Sequence, residues 1–185
     1  MARRLRYQVA VSLDGFIARA NGEFDWIVMD PAIDFAAMYK EFDVAVMGRK
    51  THDVVRGMGD ALPGIDTVVF SRSRPPSTSP GLRVTRDDPV QTVTALKAQS
   101  GRDIWLYGGG ALFRTLLDAG LVDTVEVAVI PVLLGSGIPV LPPGASTTLV
   151  LSDHVVLPGS GIVVLAYAIP GKVGPAPRIH FVPPV

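Results

Sequence analysis

The chain has 185 residues, a length that fits one domain. Hydrophobic residues make up 48% and charged residues 18%, which excludes a disordered chain; 17 basic against 17 acidic side chains leave no excess for a nucleic-acid or membrane-surface partner. With no cysteine, disulfides, thiolate metal sites and cysteine nucleophiles are excluded, and His52, His154 and His180 lack metal-site spacing.

Residues 5–12 read as a strand that stops at the turn pair Asp14-Gly15, with a second turn at Asn21-Gly22. Asp30-Pro31 predicts a helix start, with Asp as N-cap and Pro in the first helical position. Ile33, Ala36, Ala37 and residues 39–42 then form its apolar face. Residues 44–47 form a short strand, and Gly48-Arg49-Lys50-Thr51 opens a helix to about Arg56, with His52 on its exposed face. A strand at 67–70 ends in Ser71-Arg72-Ser73-Arg74-Pro75-Pro76, and a short one follows at 82–85. Asp88-Pro89 starts a helix that ends near Gly101. The strand at 104–107 meets Gly108-Gly109-Gly110, which leads into a helix through Leu117. Residues 122–130 form a long strand; 149–156 and 161–169 form a closing pair.

Strands alternating with helices predict βαβ units and an α/β fold around a mostly parallel sheet of about eight strands, with an antiparallel edge where the helices stop. Residues 1–170 are expected to form the domain, and 171–185, with four prolines, an extended tail. The basic start is followed by too short an apolar run for a signal peptide, and no run nears the ~20 residues of a membrane span. A cytoplasmic protein is expected.

Open α/β sheets bind ligands beyond the carboxyl ends of their strands. Three strand ends carry chemistry suited to phosphate. At Gly48-Arg49-Lys50-Thr51 a glycine permits close approach, a helix N-terminus offers free amides, and Arg49 adds a planar cation. Ser71-Arg72-Ser73-Arg74 interleaves hydroxyls with guanidiniums. Gly108-Gly109-Gly110, between Tyr107 and Ala111, leaves bare amides for a pyrophosphate. Each has an ordinary alternative: a helix cap, a solvated turn, a tight bend. In this order on successive strands they point to a dinucleotide, and the arginines favour the 2′-phosphorylated form. No G-x-G-x-x-G follows the first strand, so this is not the Rossmann fingerprint.

Ser12-Leu13-Asp14-Gly15-Phe16-Ile17-Ala18, Met47-Gly48-Arg49-Lys50-Thr51, Phe70-Ser71-Arg72, Tyr107-Gly108-Gly109-Gly110 and Ile130-Pro131-Val132-Leu133-Leu134-Gly135-Ser136-Gly137 resemble the dihydrofolate-reductase-like superfamily. Within it they are similar to the C-terminal reductase domain of the bacterial bifunctional riboflavin-biosynthesis deaminase/reductase. The resemblance implies a three-layer sandwich and an NADPH-dependent oxidoreductase. It implies that Gly48, Arg49, Lys50 and Thr51 hold cofactor phosphates and that Ser71 and Arg72 lie near the 2′-phosphate. Tyr107, Gly108, Gly109, Gly110, Ala111 and Leu112 would approach the pyrophosphate, with a cis Gly-Gly peptide, and Ala10 and Ile17 would border the nicotinamide. It also implies a small pyrimidine or pteridine substrate, the riboflavin precursor first among them, and a homodimer.

The resemblance also implies a proton-donating carboxylate on the first helix, for which Asp34, near its start, is expected, with Asp30 competing but better placed as a cap; the alternative for Asp34 is a first-turn acid complementing the helix dipole. Asp14, Phe16 and Trp26 are the expected substrate contacts, with Asp14 also able to set its turn and Trp26 to join the core. Phe16 stands where riboflavin reductase domains often carry Lys. The zinc deaminase motif is absent, since it needs cysteines. Dihydrofolate reduction and a non-catalytic NADPH-binding dimer are the competing readings.

Overall fold

The computed structural model describes residues 3–59, 62–172 and 179–180. Among these residues the main sheet has nine strands: β1 (Leu5–Ser12), β3 (Phe42–Gly48), β4 (Asp66–Phe70), β5 (Ser77–Ser79), β6 (Leu82–Thr85), β7 (Asp103–Gly108), β8 (Thr124–Ile130), β10 (Val150–Leu157) and β11 (Ile162–Ala168). Their spatial order is β10-β11-β8-β1-β7-β3-β4-β6-β5. The six strands from β8 to β6 run parallel, while β10, β11 and β5 join antiparallel at the two edges. Two further short strands, β2 (Phe16–Ala18) and β9 (Ile138–Pro139), form a separate ribbon.

The alternation of β1 explains the layers. Leu5 and Tyr7 face one core with Val46, Ile104 and Leu106, under α3 (Pro89–Ala98) and α4 (Gly110–Asp118). Leu112, Phe113, Leu116 and Leu117 supply the α4 side, and the Tyr7 and Phe113 rings stack at 3.8 Å. The opposite face holds Phe42, Ala45, Met47 and Trp105 under α1 (Phe35–Tyr39) and α2 (Arg49–Gly57). A third cluster of Trp26, Ile130, Leu157 and Ile162 closes the antiparallel end. Each large side chain buried this way contributes about 1.5–3 kcal/mol.

The expected mostly parallel sheet of about eight strands with an antiparallel edge is present, and two local expectations need correction. Among the described residues a ninth strand, β5, joins the sheet's edge; its three exposed polar residues give no hydrophobic pattern to read. The first helix begins after Asp34, whose carboxylate accepts from the Ala37 amide at 2.9 Å, and not after Asp30. Asp30 accepts from the Ser160 hydroxyl, in the turn between β10 and β11, and from the Ala32 amide at 2.8 Å, and these bonds hold its carboxyl below its ordinary pKa. His52 is buried rather than exposed, with Nδ1 3.1 Å from Arg74 Nη1. Asp88 does cap α3, accepting from the Gln91 amide at 2.9 Å with Pro89 in the first turn. No helix among the described residues is long and apolar enough to cross a membrane.

Candidate active site

The carboxyl ends of β7, β3, β4 and β6 lie side by side. Met47 pairs with Gly108, Gly48 with Phe70, and Phe70 with Thr85. The turns that follow therefore form a row: residues 108–110, 48–51, 71–73 and 86–88. All of them line one cleft of ≈ 1980 Å³. A pocket for one small ligand is usually about 300–1,000 Å³, so the cleft has room for a cofactor and a substrate together.

Two helices point their N-termini into this row. Neither α2, entered through Gly48, nor α4, entered through Gly109, has a side-chain cap. Their first amides are open to a ligand, and the two dipoles converge on adjacent strands. The turns also touch: a Cβ on Gly109 would sit 3.3 Å from the Thr51 hydroxyl. The Gly108–Gly109 peptide is cis. Arg49 pairs with Asp53 at 2.8 Å, and Arg74 is engaged by Asp53 and His52. The side chains of Lys50, Arg72 and Arg86 have no hydrogen-bond or ion-pair partner among the described residues. The arrangement fits a phosphorylated dinucleotide, with bare amides for the pyrophosphate and uncommitted cations beyond it.

Ala10, Ile17, Gly48, Arg49, Lys50, Thr51, Ser71, Arg72, Tyr107, Gly108, Gly109, Gly110, Ala111 and Leu112 all line the cleft. Asp14, Phe16, Trp26 and Asp34 do not. Asp14 fastens one loop to another, accepting from Ser12 Oγ at 2.6 Å, from the Leu134 amide at 3.0 Å and from the Gly135 amide at 2.7 Å. The Ser12 bond is the largest cause of its lowered pKa, and these two amides add to it. Phe16 pairs with Pro139 in the small ribbon, and Trp26 is buried in the third core cluster. Asp34 caps α1, while its neighbours Ile33 and Phe35 reach the cleft.

The opposite end of the cleft is built from strand interiors. Gln8 and Ala10 of β1 stand beside Glu126 and Ala128 of β8, and all four line it. Arg6, fully buried, donates Nε and Nη2 to Glu126 at 2.8 and 2.7 Å, and Nη1 to Glu41 and, at 3.4 Å, to Asp103. Burial opposes its charge, but the Glu126 and Glu41 contacts outweigh that and raise its pKa. Tyr107 also lines the cleft, its phenol pKa raised by burial and then by Tyr39. His180 packs here too: its carbonyl accepts from the Asp34 amide at 3.2 Å, and Nε2 lies 3.0 Å from Glu41 at an angle that makes no hydrogen bond. Gln8, Glu126, Arg86 and His180 were not identified from the sequence. The pairing of Gln8 with Glu126 joins residues 118 apart, and only an alternating polar residue in each strand hinted at it. Among the described residues no cluster could hold a metal ion.

The sheet order and the row of phosphate-suited turns define a dihydrofolate-reductase-like domain. The profile of the RibD C-terminal domain family matches residues 3–164, and the chain belongs to that family. It is 36% identical over 153 residues to the uncharacterized protein YyaP of Bacillus subtilis (strain 168), covering 74% of this chain and 79% of the relative. The structure is similar to that of a protein assigned to riboflavin biosynthesis from Shewanella sp. PV-4, with TM-score 0.78, 24% identity, and coverage of 91% of this chain and 99% of that one. It is also similar to dihydrofolate reductase of Enterococcus faecalis complexed with NADP(H), with TM-score 0.66, 19% identity, and coverage of 92% and 99%.

Proposed function

We propose that this chain is an NADPH-dependent reductase of a small aminopyrimidine, of the kind named for the Thermotoga maritima bifunctional protein, a 5-amino-6-(5-phosphoribosylamino)uracil reductase. That structure has a TM-score of 0.69 and 15% identity to this one, which covers 91% of this chain and 57% of that one. The observation that carries the proposal is the convergence of two uncapped helix N-termini, beside Arg72 and Arg86, which have no partner among the described residues, on a cleft large enough for two ligands. When bound, the cofactor supplies a hydride from its nicotinamide ring. The amides of α2 and α4 hold the pyrophosphate, and Arg72 holds the 2′-phosphate. Ala10 and Ala128 keep the strand surface low so that a flat ring can lie on it. Ile33, Phe35 and Met38 cover the far wall and exclude water from the reacting carbon. The proposal includes a homodimer, for which the exposed Leu151 and Val156, on one face of edge strand β10, offer an apolar contact.

The test is NADPH oxidation, followed at 340 nm, with the phosphoribosylaminopyrimidine as substrate. Substrate-dependent oxidation is expected. Tight NADPH binding with no turnover on this compound or other aminopyrimidines and pteridines would favour a binding protein instead.

A further inference from the structure

The face of β1 that carries Ala10 also carries Gln8, one pleat repeat deeper, about 7 Å along the strand. Gln8 stands opposite Glu126, and both line the cleft. Glu126 itself has no capacity left for a ligand. Its Oε1 accepts from Arg6 Nε and from Thr124 Oγ1, each at 2.8 Å; its Oε2 accepts from Arg6 Nη2 at 2.7 Å and from Gln8 Nε2. Four donors fill the four lone-pair directions of a carboxylate.

That saturation fixes Gln8. A carboxylate only accepts, so the amide must turn its NH₂ toward Glu126, and its carbonyl oxygen is left as the other end. Oε1 of Gln8 is buried and has no donor among the described residues. Buried acceptors without partners are rare, and this one is set by a locked network: Arg6 is held by Glu126 and Glu41 and lies 4.9 Å over the Phe42 ring. On β7, next to β1, Trp105 lines the same cleft, and its buried Nε1 donor is likewise unpartnered. Gln8 and Trp105 thus both line the cleft, and among the described residues the acceptor of one and the donor of the other have no partner.

Resting on the aminopyrimidine reading above, we infer that Gln8 is a specificity-determining residue whose Oε1 accepts a ring N–H of the substrate. The substrate edge that meets this floor presents an N–H beside a carbonyl, as an oxopyrimidine does, with Trp105 Nε1 as donor to the carbonyl. Arg6, Glu126 and Thr124 are positioning residues that hold the amide in one orientation. A ring whose N–H groups are methylated leaves Gln8 Oε1 without a donor and is rejected.

The experiment is calorimetric titration of the full chain, with and without NADP⁺, using 5,6-diaminouracil and its 1,3-dimethyl derivative, on wild type, Gln8→Met and Gln8→Asn. Wild type is expected to prefer the unmethylated ring by about tenfold, the worth of one good hydrogen bond. Gln8→Met removes the acceptor at nearly constant volume and is expected to lower that preference to within about twofold by weakening only the unmethylated ligand. Gln8→Asn withdraws the acceptor by one methylene and keeps the amide, so it carries the test if Gln8→Met does not fold. Equal binding of the two pyrimidines to wild type, or an undiminished preference in the variants, overturns the role of Gln8. Loss of NADPH binding by wild type counts against the proposed function alone, because the pyrimidine titrations without cofactor still report on Gln8.

Discussion

The two ends of the cleft are made differently. The phosphate end consists of turns, each a few consecutive residues after a strand: residues 48–51, 71–73 and 108–112. The substrate end consists of strand-interior side chains from distant parts of the chain, with Gln8 beside Glu126, Arg6 beside Trp105, and His180 over Glu41. Backbone amides and glycines do the work at the first end, and a buried charge network fixes the second. A phosphate site of the proposed kind is local and portable, whereas the proposed substrate floor exists only once β8, β1 and β7 are assembled.

If the ends are independent, each should break without the other. The largest effect is expected at Arg6. Arg6→Met leaves Glu126 buried without its counter-charge and should cost about 3–5 kcal/mol, read from the urea midpoint. Arg6→Met combined with Glu126→Leu should recover much of that loss, and the folded double variant should retain wild-type NADPH affinity. Arg72→Ala should instead weaken NADPH by about 1.5–3 kcal/mol, with NADH affinity and stability unchanged. Equal weakening of both cofactors would remove Arg72 from the 2′-phosphate.

Asp34 gives a smaller effect and sharpens the boundary between the two ends. Its carboxylate caps α1, so Asp34→Ala should cost about 1 kcal/mol of stability and Asp34→Asn almost none. Turnover by Asp34→Asn within about twofold of wild type is expected of a cap, since Asn caps as well as Asp. A collapse of kcat at unchanged stability would restore the proton-donor role.

The smallest effect is in acid. Asp14, Asp30 and Asp103 all have lowered pKa values; for Asp103 burial works in the opposite direction, and the Arg4 hydrogen bond and charge overcome it. A carboxyl with a depressed folded pKa contributes stability that is fully present above its unfolded value, about 3.9, and is lost as pH falls through the folded value. Melting temperature should therefore hold from neutral pH to about 5 and fall below about 4, and Asp14→Asn should flatten the fall.

Much of the fold was legible because its strands alternate and its turns use Gly, Pro and Asp. The eight expected strands of the main sheet are present, and Asp88-Pro89 caps its helix. The family resemblance held as well. Strands β2, β5 and β9 escaped because two or three residues carry no period. Asp34 and Asp30 were each one of several acids near a helix start, and their roles depend on which amide lies in reach. His52 was misplaced because its burial and its contact with Arg74, 22 residues away, leave no trace in the local pattern. Gln8 and Glu126 carried no local motif at all; their meaning lies in the register between β1 and β8.

The most direct test is calorimetric titration of wild-type protein with NADPH and with NADH in matched buffer. Micromolar NADPH binding, with NADH far weaker, is the expected result. No binding of either nucleotide would contradict the assignment of the paired helix N-termini to a dinucleotide.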